Sequence, residues 1–260
     1  MKIREIKCKT ALSKSNLPGL DYSLNPYRGC QHNCAYCYVP NVLRINRDDW
    51  GEFVQVKTNI PNILAKELKK KTYGVVGIST VCDPYQAVEK KYRLTRYCLE
   101  QLLRYDFPIC IQTKSDLVLR DIDIISKFTN AEIIISIGTL NDEERKILEP
   151  GASSISKRLE LLEKLSDYNL KKTIFLGPIY PSLDSKKLNK LVKFCEKNSV
   201  SEIIVDKFNL KPGIKENIEQ NIKGFEYLEE IFDGEDSYKQ RLLFLKNLCK
   251  NNNIKVKKAF

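Results

Sequence analysis

The sequence predicts an α/β fold of six parallel strand–helix units, and three observations predict it. Short apolar, β-branched runs recur along the chain at 74–80, 107–113, 131–138, 172–179 and 201–208. Stretches with apolar residues at helical spacing stand between them. A further strand leading into a cysteine-rich loop near residue 30 completes six. Strands that alternate with helices pair in parallel through right-handed crossovers.

Each element has its own signal. GVVGIST (74–80) is short, apolar and flanked by glycine, as a buried strand should be. Leu94, Cys98 and Leu102 recur at i+4 and mark a helix near 92–105. FPICIQT (107–113) is the next strand and DIDIISKF (121–128) the next helix. AEIIISIG (131–138) is the most continuous apolar strand of the chain. A helix over about 155–168 takes Ser153 or Ser154 as its cap. KTIFLGPI (172–179) is a strand. Leu188, Leu191, Val192 and Cys195 then line one helical face that Asp184 caps. SEIIVDKF (201–208) closes the series. Beyond about 210 the rhythm breaks into a helical tail with a final short strand, IKVKKAF. The division expected is 1–210 for the main unit and 211–260 for a helical extension packed on it. An open sheet and a partial barrel both fit six units; in either, chemistry belongs at the carboxyl ends of the strands.

Composition narrows the function classes. Hydrophobic content of 42% and charged content of 30% are ordinary for a globular protein. No apolar run approaches the roughly 18 residues of a membrane span, and MKIREIKCKT lacks a signal-peptide core. A cytoplasmic protein without a membrane partner is expected. The formal net charge of +11 suits a nucleic-acid surface. Lysines dominate the basic residues and are scattered along the chain, so a compositional bias of the genome or habitat explains the charge equally well. Nine cysteines, three clustered and six dispersed, fit a reducing compartment and a metal site better than a disulfide scaffold. His32 is the only histidine. That excludes a Ser-His-Asp triad elsewhere and any multi-histidine metal centre.

The most informative stretch is NPYRGCQHNCAYCYVP, with Cys30, Cys34 and Cys37 at C-x3-C-x2-C spacing. Three thiolates this close can reach one metal centre, and thiolates are the usual ligands of iron–sulfur clusters. A cubane held by three cysteines leaves one iron open to a small molecule. Zinc on the three cysteines plus His32 is the alternative, although zinc sites usually pair C-x2-C knuckles and His32 sits inside a very tight loop. His32 is read as a loop residue rather than a ligand.

This loop resembles the signature of the radical S-adenosylmethionine (SAM) superfamily, including an aromatic residue, Tyr36, before the third cysteine. Within it, STVCDPYQAVEKKYRLTR, QTKSDLVLRDIDII, IIISIGT, LEPGASSISKRLELLEKL and FLGPIYPSL resemble, in order, blocks of the spore photoproduct lyase-related branch, also labelled DNA repair photolyase-like. The resemblance covers about 22–206. It implies a partial (β/α)6 TIM-like barrel of the radical SAM type, a [4Fe-4S] cluster on Cys30, Cys34 and Cys37, and bound SAM. It implies an external electron donor such as ferredoxin or flavodoxin.

The resemblance also implies cofactor contacts at Tyr36 near the adenine, at Ser79 and Thr80 near the methionine amino group, and at Lys114 near the carboxylate. Ser136 touches the cofactor, Arg158 reaches its ribose or carboxylate, and the backbone around Gly177 and Pro178 lines the adenine. The Gly-Gly-Glu often found after the second strand is absent here. Surface solvation of the cations and backbone satisfaction by Ser136 are the structural alternatives.

The lyase of that branch uses a further cysteine after its second strand as a hydrogen-atom donor. Cys82 occupies that region, in a local sequence, CDPYQ, that departs from the lyase's own. Its S–H bond suits the role; burial as a small hydrophobe is the bland alternative. Asp83 and Tyr85 in the same loop are substrate-side or structural residues. Cys98, Cys195 and Cys249 fall on apolar helix faces, Cys110 in a strand, and Cys8 among lysines in an N-terminal strand. The expected mechanism is reductive cleavage of SAM to methionine and a 5′-deoxyadenosyl radical. That radical would act on DNA or RNA, for repair or base modification, or else on a peptide or small metabolite. A non-catalytic, metal-stabilised nucleic-acid module is the alternative outside enzymes.

Overall fold

The computed structural model describes residues 1–223, 226–232, 235–250 and 252–259. Phe260, the end of the expected last strand, and five residues of the expected extension lie outside the described residues. The strands are β1 (Lys2–Ile6), β2 (Leu12–Lys14), β3 (Tyr22–Leu24), β4 (Tyr27–Arg28), β5 (Phe53–Lys57), β6 (Val76–Ile78), β7 (Ile109–Thr113), β8 (Ala131–Ser136), β9 (Lys171–Leu176), β10 (Glu202–Val205) and β11 (Lys255–Lys258). Two compact units result. One comprises 1–33, 39–134 and 168–170; the other comprises 34–38, 135–167 and 171–260. Cys30 thus belongs to the first, and Cys34 and Cys37 to the second.

In the first unit, β3 pairs in parallel with β6, and β6 in parallel with β7. Val76 and Ile78 of β6 are buried, as are Ile109 and Ile111 of β7, which is why these runs read as apolar strands. β2 closes the edge antiparallel to β3. A small second sheet has the order β1-β5-β4, with β1 parallel and β4 antiparallel to β5. This sheet was not anticipated. β1 is almost wholly exposed and carries no apolar pattern, and it ends at Ile6, so Cys8 lies beyond it. Cys8 instead exchanges backbone hydrogen bonds with the Asn59 side chain at 2.8 and 2.9 Å.

The expected helix near 92–105 is two pieces, Glu89–Tyr92 and Leu94–Leu103, divided at Arg93 with φ of 54°. Leu94, Cys98, Leu99 and Leu102 form its buried face. The expected helix at 121–128 begins earlier as a 3-10 turn, Asp116–Asp121, capped by the Ser115 hydroxyl. Only Ile122–Ile125 is α-helical.

In the second unit, β9 pairs in parallel with β10, and β10 with β11. The helix Ile155–Leu165 is capped by Ser154, and Ser185–Lys197 by Asp184, whose carboxylate accepts the Lys187 N–H at 2.8 Å. A helix at Asp142–Leu148 was missed. Its cap is Asn141, and three acidic residues occupy its first turn, where the helix dipole favours them. The helices Ile214–Asn221 and Glu235–Lys250 precede β11, so the tail ends in a short strand as expected. Ile214, Ile218, Ile222 and Ile231 pack with Ala35, Leu148 and Tyr180 into one apolar cluster. Among the described residues, no helix is long and apolar enough to cross a membrane.

Candidate active site

β4 delivers the chain to Gly29, whose φ is +92°. A Cβ there would lie 2.3 Å from the Phe53 carbonyl oxygen, so only glycine lets the backbone pass and turn into Cys30. Cys30 is buried, and its Sγ accepts the Asp83 backbone N–H at 3.4 Å. The Asp83 carboxylate accepts from Tyr85 N–H, Thr113 Oγ1 and Lys114 N–H, each at 2.8 Å. It also lies 3.3 Å from His32 Nδ1. His32 is thus a buried loop residue set against a carboxylate.

Gln86 secures the same loop by accepting the Gln31 N–H at 2.9 Å and donating to the Gly29 carbonyl at 3.1 Å. Behind it, the buried Glu89 accepts from the Tyr27 hydroxyl and from Arg120 Nη2 at 2.6 Å. Burial pushes the Glu89 carboxyl up despite these donors.

The end of β6 carries Ser79 and Thr80. Asn25, in the loop before β4, grips this turn: its side-chain Oδ1 accepts the N–H groups of Thr80 at 2.9 Å and Val81 at 3.1 Å, and its Nδ2 donates to Thr80 Oγ1 at 3.3 Å. Ser79 Oγ is buried and approaches the Cys82 thiol, yet it has no partner in hydrogen-bond geometry. An orphaned buried hydroxyl at a strand end fits a polar ligand group. Cys82 is half-buried and directs its thiol at the Tyr27 carbonyl, 3.5 Å away. Burial pushes this thiol up to about 12.

Cys82 therefore remains S–H through the physiological range, the form that can give up a hydrogen atom. Its alkylation by a thiolate-directed reagent should be far slower at pH 8 than that of a free thiol, accelerating only as the pH nears 12. The linkage runs the same way. The unfolded chain releases this proton near 9.0 and the folded chain near 12, so stability falls as pH rises between them. Lys114 is half-buried directly after β7.

The second unit holds the rest of the loop. The Ala35 N–H donates to the Leu148 carbonyl at 2.9 Å, and Asn217 Nδ2 donates to the Ala35 carbonyl at 2.7 Å. The Tyr36 hydroxyl donates to Glu149, and its ring meets Phe208 and Tyr180 edge-on at centroid distances of 5.7 and 6.4 Å. Burial first, then the Glu149 charge, raises the Tyr36 phenol well above its usual value. Glu149 is paired at 2.5 Å with Arg158 Nη2, both side chains being buried.

Expected to reach the cofactor's ribose or carboxylate, Arg158 directs its described hydrogen bonds to protein groups. Besides Glu149 it donates to the Ser153 and Ser136 carbonyls, each at 2.9 Å. Glu149, a residue the sequence did not single out, thus joins Tyr36 to Arg158, which in turn holds the Ser136 carbonyl. Just beyond β8, Gly138 passes so close to the next loop that a Cβ would meet the Pro178 carbonyl oxygen at 2.4 Å.

A [4Fe-4S] cluster and SAM suit these residues. The Asp83 N–H aimed at Cys30 is the kind of hydrogen bond that tunes cluster thiolates. Among the described residues, no three His, Cys, Asp or Glu side chains gather to hold a single metal ion. A cubane's thiolates each take a different iron and need no such convergence.

Known proteins place this arrangement. The Radical SAM superfamily model matches residues 24–195, and the chain belongs to that superfamily. Membership implies a [4Fe-4S] cluster and SAM, and makes the protein an enzyme of the radical SAM kind. An uncharacterized protein of Methanocaldococcus jannaschii is 36% identical over 185 residues, covering 70% of each chain. A radical SAM Nα-GlyT isomerase of Pseudomonas phage M6 is 25% identical over 160 residues, which span 61% of this chain and 33% of that protein.

Among solved structures, spore photoproduct lyase complexed with dinucleoside spore photoproduct matches with a TM-score of 0.74 at 17% identity. That match covers 99% of this chain and 82% of the lyase. A lyase mutant with bound AdoMet matches at 0.71 and 15% identity, over 100% of this chain and 82% of that one. This likeness shows the fold: a parallel-stranded, partial (β/α)6 barrel of the radical SAM type, with helices at its C-terminal end.

Proposed function

We propose that the protein holds a [4Fe-4S] cluster on Cys30, Cys34 and Cys37 and cleaves SAM reductively to act on DNA or RNA. Residues 1–210 form the catalytic barrel and 211–260 its extension. The observation that carries the cluster is the three-cysteine loop with a protein N–H directed at Cys30. When bound, the reduced cluster supplies the electron that turns SAM into methionine and a 5′-deoxyadenosyl radical.

The chain's own residues bind and orient the cofactor. Ser79 offers an unsatisfied hydroxyl to the methionine end, with Thr80 beside it. Lys114 supplies a cation for the carboxylate. Tyr36 packs near the adenine, with Ser136 and Arg158 forming the wall that holds it. A soluble one-electron donor of the ferredoxin or flavodoxin kind provides the electron, in the cytoplasm.

A nucleic-acid substrate is supported by the net charge of +11 and by one structural relative. That relative is the lyase structure whose bound ligand is a dinucleoside photoproduct. Cys82 gives its hydrogen atom to a substrate carbon radical and is left as a thiyl radical.

Anaerobically reconstituted protein should absorb broadly in the visible and form 5′-deoxyadenosine on reduction. Zinc in place of iron, with no 5′-deoxyadenosine, would refute this reading. Binding to DNA or RNA should weaken linearly in log–log form as salt rises, through released counterions; salt-independent or absent binding argues for a peptide or metabolite substrate. Cys82→Ala should still cleave SAM but should lose the final product, and unchanged product formation would remove the thiol from the mechanism.

A further inference from the structure

We propose that Asp83 is a positioning residue that fixes Cys30 and, through its negative charge, holds the cluster's reduction potential low; the inference rests on the cluster reading above. Asp83 is only 8% exposed, yet its N–H and carboxylate engage five groups. Its N–H meets Cys30 Sγ at 3.4 Å. Oδ1 accepts from Tyr85 N–H and Thr113 Oγ1, and Oδ2 from Lys114 N–H, all at 2.8 Å. His32 Nδ1 lies 3.3 Å from Oδ2. One residue therefore joins the cysteine loop to the segment after β6 and to the end of β7. Gripping Thr113 and Lys114 holds the Asp83 backbone in place, and with it the N–H that faces the thiolate.

The two parts of this residue act oppositely on a cluster. A hydrogen bond to a ligand sulfur disperses its charge and favours the reduced state, whereas a nearby carboxylate disfavours adding an electron. The Tyr85 N–H, the Thr113 hydroxyl and the Lys114 N–H all donate to the carboxylate, so it works as an acceptor in a buried setting, where charge is weakly screened. The sequence position gives no hint of this, because Cys30 and Thr113 lie 53 and 30 residues away.

The test uses reconstituted full-length protein and compares three variants. Asp83→Asn keeps the backbone N–H and nearly the same shape but removes the charge; its midpoint potential should shift positive relative to wild type. Thr113→Val removes one hydrogen bond to the carboxylate and leaves the charge, so its potential should stay near the wild-type value. Asp83→Ala removes the whole brace, and iron retention against a chelator should drop about 10- to 100-fold. Loss of iron from Asp83→Asn while Thr113→Val retains it would equally support the positioning role.

An unchanged potential in fully loaded Asp83→Asn would overturn the electrostatic part. Wild-type iron retention in Asp83→Ala would overturn the positioning part. Wild-type protein that takes up no iron–sulfur cluster would instead overturn the underlying cluster reading, and this inference with it.

Discussion

Arg158→Ala lowers the thermal midpoint of the metal-free protein by about 10 °C, the largest loss of stability expected from any single change in the site. Arg158 is fully buried and its partner Glu149 is 1% exposed, at 2.5 Å. Removing the cation leaves a carboxylate out of water without a counter-charge, which costs about 3–5 kcal/mol. The pair itself contributes less than that figure, because desolvating both charges offsets most of their attraction. Arg158→Met combined with Glu149→Leu should therefore recover much of the midpoint. The double variant would nonetheless leave the Tyr36 hydroxyl without its acceptor and the Ser136 carbonyl without its donor. Thermal unfolding followed by circular dichroism checks both variants, and an unchanged midpoint in Arg158→Ala would show that water reaches Glu149.

Serine at Cys30, Cys34 or Cys37 abolishes the visible absorbance of reconstituted protein and cuts 5′-deoxyadenosine formation by at least about 100-fold, more than an outer-shell change would. A serine hydroxyl keeps the size of the side chain but not the thiolate that iron prefers. The other cysteines set the contrast. Cys98 and Cys195 are fully buried on helix faces, and burial raises both thiols, Cys195 to about 12. Cys98→Ala should retain iron and lose only packing, on the order of 1 kcal/mol. Equal iron loss from Cys98→Ala and Cys34→Ser would mean that unfolding, not ligand removal, empties the site.

The parallel strands were legible because they are buried on both faces, so β8 and β10 read as continuous isoleucine and valine runs. The β1-β5-β4 sheet was not. Its register pairs Lys2 with Phe53, and β1 offers mostly exposed residues, Lys2, Arg4 and Glu5 being charged. What holds β1 is backbone pairing, which leaves no mark on side-chain pattern. The helix Asp142–Leu148 does carry a sequence signal, a capping Asn141 followed by three acids. The break at Arg93 had none, since arginine has no preference for a positive φ.

The three-cysteine loop stands out in the sequence because its spacing is local. Asn25, Gln86 and Glu149 do not, because each meets its partner in the loop or turn from 55 or more residues away. Asp83 reads from the sequence as a substrate-side or structural residue of the Cys82 loop; its grip on Cys30 and Thr113 exists only after folding.

The Ala35 carbonyl waits for a donor 182 residues later in the chain. During synthesis, Cys34 and Cys37 leave the ribosome early. Leu148, Glu149, Tyr180, Phe208 and Asn217, which brace their loop, leave only afterwards. The loop that carries Cys34 and Cys37 therefore gains its full bracing only once the chain has been made through Asn217.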